Sequence, residues 1–291
     1  MTTARPTLGA FVLLGGIVCV ALMDAVAKIL SADVPVVEIT WARFFFHGIL
    51  MTPFVLMSAA DRKAIFIRQS PKAWGLHLLR GLLLSVASLC FFIAIKQNPV
   101  PDSLAVFFIC PLIVIVIARI FLGEAFSRRL FIAAGCGLIG VLIVLRPGGD
   151  TGYHWTIIFA LGTAICFSGY IVLARFASLN KTPVMVTSWL TAVFALLPTL
   201  PFMAAALTTS GVRLWLMMIT IGLLSALGHT LIIYSCRHLT ASSVAILQYA
   251  EVGVAAIISW FVFSHFPDEW VWLGVIIIAC ANIYALRKKR G

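Results

Sequence analysis

The sequence predicts an all-α membrane protein in which ten transmembrane helices form two inverted five-helix repeats. Three observations carry this reading. The chain of 291 residues is 62% hydrophobic and 11% charged, with a mean hydropathy of +1.10, and has too little polar sequence to cover a soluble core of its length. Its apolar residues fall into ten runs, each near the roughly 20 residues that cross a bilayer. The first five runs also resemble the last five. A shift of about 148 positions lays Pro35, Trp41, Phe46, Pro53 and Phe54 onto Pro183, Trp189, Phe194, Pro201 and Phe202. Shifts of about 140 positions match Gly81, Leu82 and Leu83 to Gly222, Leu223 and Leu224, and Ser103 and Ala105 to Ser243 and Ala245. Each half holds an odd number of spans, so the second half enters the membrane from the opposite side.

The predicted spans run, in order, over Leu8–Leu30, Val37–Ala59, Trp74–Ile95, Ser103–Phe121, Leu130–Leu145, Trp155–Ala177, Pro183–Leu207, Leu214–Cys236, Ser242–Phe263 and Trp270–Leu286. They read as helices because the apolar runs are continuous and lack the in-out alternation of barrel strands. The first run is too long for a signal-peptide core and carries Asp24 and Lys28, so it is a retained span. Asp61–Ala73 is expected to be the longest loop. In the fourth span, Pro111 removes a backbone hydrogen bond and predicts a kink; the second half has Glu251 at the matching point, a charge where the first has a kink. Gly135, Gly137 and Gly140 let the fifth helix approach a neighbour closely. Arg146-Pro147-Gly148-Gly149 is a helix end followed by turn residues and divides the repeats, 8–146 and 153–287.

A net charge of +11 raises the question of nucleic acid, but the distribution of charge argues against it. Arg5, Arg62, Lys63, Arg68, Lys72, Arg128, Arg129, Arg175, Lys181, Arg237 and Arg287–Arg290 all fall on the side that carries the termini. The other side has Lys96, Arg146 and Arg213. The asymmetry predicts cytoplasmic termini and contact with anionic lipid. The seven cysteines all fall within predicted helices without metal-ligand spacing and read as packing residues. No phosphate loop, zinc-protease or hydrolase motif is present, so neither a cofactor nor a metal is expected.

Ionisable side chains inside spans point to a site, because each is costly in hydrocarbon unless it faces protein or water. Asp24 and Lys28 share one helix face, where they either lock each other as a pair or line a cavity. Arg43 is placed to reach Asp24 or Glu38. Glu251 has no cation at helical spacing, and its neighbours Gln248 and Tyr249 supply polar groups. His229, with Tyr234 in the same span, suits proton coupling or substrate recognition, or a neutral bond to another helix. Trp41, Tyr170, Trp189 and Trp260 are packing aromatics or stacking surfaces for a flat ligand.

Several of these segments resemble one family. Ser103–Pro111 followed by Leu122-Gly123-Glu124 and a glycine-rich fifth helix, repeated as Ser242–Glu251 and a tenth helix, is similar to the EamA-type drug/metabolite transporters. Asp24 with Lys28, Arg43-Phe44-Phe45-Phe46, Leu79-Arg80-Gly81-Leu82-Leu83-Leu84 and Glu251 resemble the branch with S-adenosylmethionine uptake transporters. The resemblance spans Leu8–Leu286, with Phe263-Ser264-His265 replacing Leu122-Gly123-Glu124 in the second repeat and Val252 replacing a frequent proline. It implies a central cavity between helices one, three, four, six, eight and nine, in which Asp24, Glu251, His229 and Tyr234 are candidates. The expectation is an inner-membrane carrier of a small organic metabolite that works by alternating access, with S-adenosylmethionine leading over riboflavin, amino acids or a drug. An intramembrane enzyme or a receptor is the rival reading.

Overall fold

The computed structural model describes residues 6–66, 70–98, 100–146, 154–204, 211–263 and 268–286. Its spans are α1 (Pro6–Leu30), α2 (Val36–Met57), α3 (Pro71–Gln97), α4 (Val100–Phe107 and Cys110–Leu122), α5 (Arg128–Leu145), α6 (Ile158–Leu179), α7 (Val184–Leu196), α8 (Val212–Ser235), α9 (Ala241–Leu247 and Ala250–Phe263) and α10 (Glu269–Leu286). A 3-10 turn leads into α6, and another, Leu197–Phe202, follows α7, while residues 205–207 of the predicted span lie outside the described residues. Arg68, Gly149, Ser264, His265 and the tail after Leu286 lie outside the described residues.

Among the described residues, ten helices are long and apolar enough to cross a membrane. Their outer surface is apolar as well: Phe11, Ile120 and Phe121 are 70–74% exposed, an arrangement suited to lipid rather than water. Because the number of spans is even, α1 begins and α10 ends on one face, called here the terminal face.

The helices pair across the repeats. α1 packs along α8, and α6, its counterpart in the second half, packs along α3, the counterpart of α8. α5 packs on α10 and α2 on α7. Exchanging the halves maps this set of contacts onto itself, as an inverted repeat requires. Neither half buries its inner face alone.

The expected kink in α4 is present: the helix breaks at Phe108–Ile109, and Pro111 starts the second segment, where its missing N–H is least costly. The second half corrects the expectation of a charge without a kink. α9 also breaks, at Gln248–Tyr249, where the backbone tightens to Tyr249 N–H donating to Ile246 O (3.1 Å) and Glu251 N–H to Gln248 O (2.9 Å). No proline is needed there. The Tyr249 phenol lies 3.2 Å from Phe108 O and 3.1 Å from Ala134 O, and so ties this break to α4 and α5.

The segment expected to be a loop after α2 contains a helix, Ala59–Phe66. Ser58 Oγ accepts the Asp61 N–H at 3.2 Å, capping its start. Ala64 and Ile65 bury against Val55, Val186 and Leu190. All seven thiols are free.

Of the three glycines singled out in α5, Gly137 lies against the Tyr249 ring, Gly140 meets Gly274 of α10, and Gly135 has open space. A Cβ on Gly274 would stand 2.6 Å from Gly140 O and 2.5 Å from Val144 Cγ2. Gly274→Ala is therefore expected to cost about 1–3 kcal/mol by overpacking. Thermal unfolding in detergent checks this, and an unchanged midpoint would speak against the close α5–α10 crossing.

Candidate functional site

α1, α3, α4, α6, α8 and α9 surround a narrow central cavity of about 60 Å³, with Arg43 reaching in from α2. Its wall is largely apolar, with Phe91, Phe107 and Phe167 on three different helices. Asp24, Arg43, Ser88, Thr163, His229, Gln248 and Glu251 supply its polar groups. The break in α9 puts Gln248 and Glu251 on the wall, so an unwound segment meets the cavity where irregular backbone can be tolerated.

Asp24 and Glu251 come from opposite repeats, and their carboxyl groups lie within hydrogen-bonding reach of each other. Two carboxyls in such contact need a shared proton or a cation between them. Arg43 supplies the opposing charge on Asp24 without a contact as short as an ion pair.

Arg43 itself is fixed on three sides. Its Nε donates to Ser225 Oγ (3.2 Å), Nη1 to Ser88 Oγ (2.9 Å) and Nη2 to His229 Nε2 (2.6 Å). One guanidinium thus joins α2, α3 and α8, a task that suits the rigid fork of arginine. Guanidinium has no acceptor atom, so His229 Nε2 must accept. The ring proton is then on Nδ1, which donates to Tyr170 Oη at 3.0 Å. His229 is neutral in this arrangement and would have to leave Arg43 to bind a second proton. His229 thus bonds to neighbouring helices while its ring also lines the cavity. Ser225 passes the network on to His47 Nδ1 (3.2 Å), and His47 Nε2 lies 3.0 Å from Ser188 Oγ.

Of the two readings of Asp24 and Lys28, the locking pair is not formed, and Asp24 lines the cavity. Lys28 Nζ donates to Ile95 O at 2.6 Å, because its side chain points to the end of α3, where the last carbonyls of a helix are free to accept. A double-mutant cycle on Asp24→Asn and Lys28→Met is therefore expected to be additive within about 0.5 kcal/mol in thermal stability. A larger coupling would restore the ion pair.

Tyr234 and Tyr249 stand outside the cavity. Tyr234 faces a separate shallow cleft with Asp61 and Arg237, and Tyr249 is the α4–α5 tether. Trp41 is buried against Phe45, their ring centroids 4.6 Å apart, and Trp189 donates to Thr52 Oγ1 at 3.0 Å. Both are packing aromatics, and the Trp260 side chain lies outside the described residues. Ser88, Thr163 and the three phenylalanines were not singled out from sequence. Their signal is the spacing of Ser88 with Phe91 and of Thr163 with Phe167, which puts each pair on one helix face.

Toward the terminal face a polar cluster joins the two repeats. Glu124, after α4, accepts the Ala241 N–H on Oε1 (2.9 Å) and the Ser242 hydroxyl on Oε2 (3.1 Å), capping the start of α9. Arg175 Nε lies 3.8 Å from the same carboxylate. Arg175 also donates to Cys236 O at the end of α8.

Residues 7–146 and 154–286 each match the EamA-like transporter family. The chain is 26% identical to the pseudopaline exporter CntI of Pseudomonas aeruginosa over 93% of both chains. It is 25% identical to an S-adenosylmethionine uptake transporter of Rickettsia felis, over 92% of this chain and 88% of that one. A riboflavin transporter of Brucella anthropi is 24% identical over 75% of this chain and 78% of its own. One solved crystal structure shares the fold with a TM-score of 0.79 at 18% identity, covering 97% of this chain and 98% of the other.

Proposed function

The chain belongs to the EamA-like transporter family, and on that premise we propose that it carries a small amphoteric organic metabolite across the inner membrane, both termini being cytoplasmic. The observation that carries this reading is the central cavity, whose lining brings together the Asp24 and Glu251 carboxyls, the Arg43 guanidinium and three phenylalanines. A solute with an ammonium or sulfonium group, a carboxylate and a flat ring matches all three features. S-adenosylmethionine has that chemistry, and riboflavin lacks the charged pair.

The carboxyl pair takes either a proton or the substrate cation, since both would stand between the same oxygens. Substrate and proton then exchange, and the repeats rock about the breaks in α4 and α9 to expose the pair to one side or the other. Glu124 and Arg175 hold the terminal face shut in the conformation described. No resident cofactor has a part in this cycle.

Proteoliposome flux of labelled S-adenosylmethionine, riboflavin and a neutral amino acid, with pH gradients imposed in both directions, tests the reading. S-adenosylmethionine should be carried, and its apparent KM should rise by up to about tenfold per unit of acidification on the loading side while protons compete. Chemical change of the solute would favour an enzyme, and binding without flux a receptor. Flux indifferent to pH would remove the exchange step. Preference for riboflavin would overturn the amphoteric substrate.

A further inference from the structure

A second cavity, of about 520 Å³, opens on the terminal face between the start of α3 and the end of α6. It is separate from the central site and shares no lining residue with it. Lys72, His77, Arg80 and Lys181 line it, with no carboxylate among the lining residues. The first turn of α3 also opens onto it, through Ser70, Lys72 and Ala73, so the positive end of a long helix adds to the field.

The floor of the cavity is the unusual part. Arg80 is 1% exposed, about 12 Å along α3 from Lys72 at 1.5 Å per residue. It donates from Nε to Thr191 Oγ1 at 3.0 Å and from Nη2 to Thr187 O. These are neutral acceptors, and the ion pairs among the described residues are Arg146–Asp268 and Arg175–Glu124. Arg80 is thus a buried cation with no carboxylate to balance it. Beside it the His77 ring, 4% exposed, has no hydrogen-bond partner among the described residues. A buried charge without a counter-charge is costly. An anion in the crevice relieves that cost and gives the His77 ring a partner. Leu76, Leu173 and Phe176 supply an apolar wall beside the cations, so the site suits an anion attached to an apolar body.

We propose that this crevice is a phosphate site, in which the anion bridges Arg80 and His77 at the floor while Lys72 and Lys181 hold it from the rim. The phosphate is that of an anionic phospholipid headgroup or of a free phosphate, two sources with the same recognition chemistry.

Thermal unfolding of the delipidated protein in neutral detergent tests the site and separates the sources. The probes are dioleoylphosphatidylglycerol, dioleoylphosphatidylcholine, and sodium phosphate against sodium chloride at equal ionic strength. Phosphatidylglycerol should raise the midpoint where phosphatidylcholine does not, and saturation of the shift yields an apparent affinity. A matching response to sodium phosphate identifies free phosphate as sufficient; its absence assigns the site to the lipid. Lys72 and Lys181 are exposed, so Lys72→Gln with Lys181→Gln should fold and bind at least tenfold more weakly. A control with Lys63→Gln and Arg128→Gln removes two charges outside the crevice from the same face and should keep wild-type affinity. Arg80→Gln should abolish the response; where that variant does not fold, the rim variant decides. A difference of less than tenfold between rim and control variants, or no response of the wild type to either anion, would overturn the proposal.

Discussion

Glu251→Gln is expected to lower flux at least about 100-fold while leaving folding and membrane insertion within about 1 kcal/mol of wild type. The introduced amide can donate to Asp24 in the place of a shared proton, so shape, hydrogen bond and a single negative charge near Arg43 are all kept. What is lost is the ability to exchange that proton for a cation. Asp24→Asn should behave alike for the same reason, with Glu251 as the remaining acceptor. The double neutral variant differs: it leaves the Arg43 guanidinium without an opposing charge and should lose about 3–5 kcal/mol of stability. Flux in proteoliposomes and unfolding midpoints on the three variants separate these effects. Single variants that carry substrate at more than half the wild-type rate across pH would remove the pair from the site.

Arg43→Gln should produce the largest loss of stability of any single change in the cavity, about 3–5 kcal/mol. It strips donors from Ser88, Ser225 and His229 and leaves the carboxyl pair unopposed. Arg43→Lys should rescue little, because one ammonium cannot span acceptors on α3 and α8 together. Combining Arg43→Gln with Asp24→Asn should recover more than about 1 kcal/mol relative to the sum of the single changes, since the charge and its partner go together. Additivity there would mean that Arg43 is held by its hydrogen bonds alone.

The contrast between Lys28 and Arg43 shows how far the site was legible. Lys28 lies one turn from Asp24 and Arg43 lies on another helix, yet it is Arg43 whose charge acts on Asp24. Helical spacing says that two side chains share a face; it does not say which way a long flexible chain turns, or what waits at the end of the neighbouring helix. Similarly, Ile17, Val20, Met23 and Asp24 form a three-and-four-residue stripe along α1. Such a stripe in a membrane helix reads equally as cavity, helix interface or lipid face, because all three are apolar.

The ten spans, the two-fold repetition and the presence of Asp24, Arg43 and Glu251 within spans are all legible in the linear chain. Hydrophobic length is a local property that the bilayer reads directly, and the repeated register survives as a one-dimensional pattern. Partners are settled only in three dimensions. Arg43 and His229 are 186 positions apart, and their bond fixes the tautomer of a histidine that otherwise reads as a titrating group. The break in α9 arises without proline, where Tyr249 is held by carbonyls of α4 and α5. The basic crevice gathers Lys72 and Arg80 from α3 with Lys181 from beyond α6. Each of these depends on which helix faces which, and that is set by packing between segments whose apolar surfaces look alike in sequence.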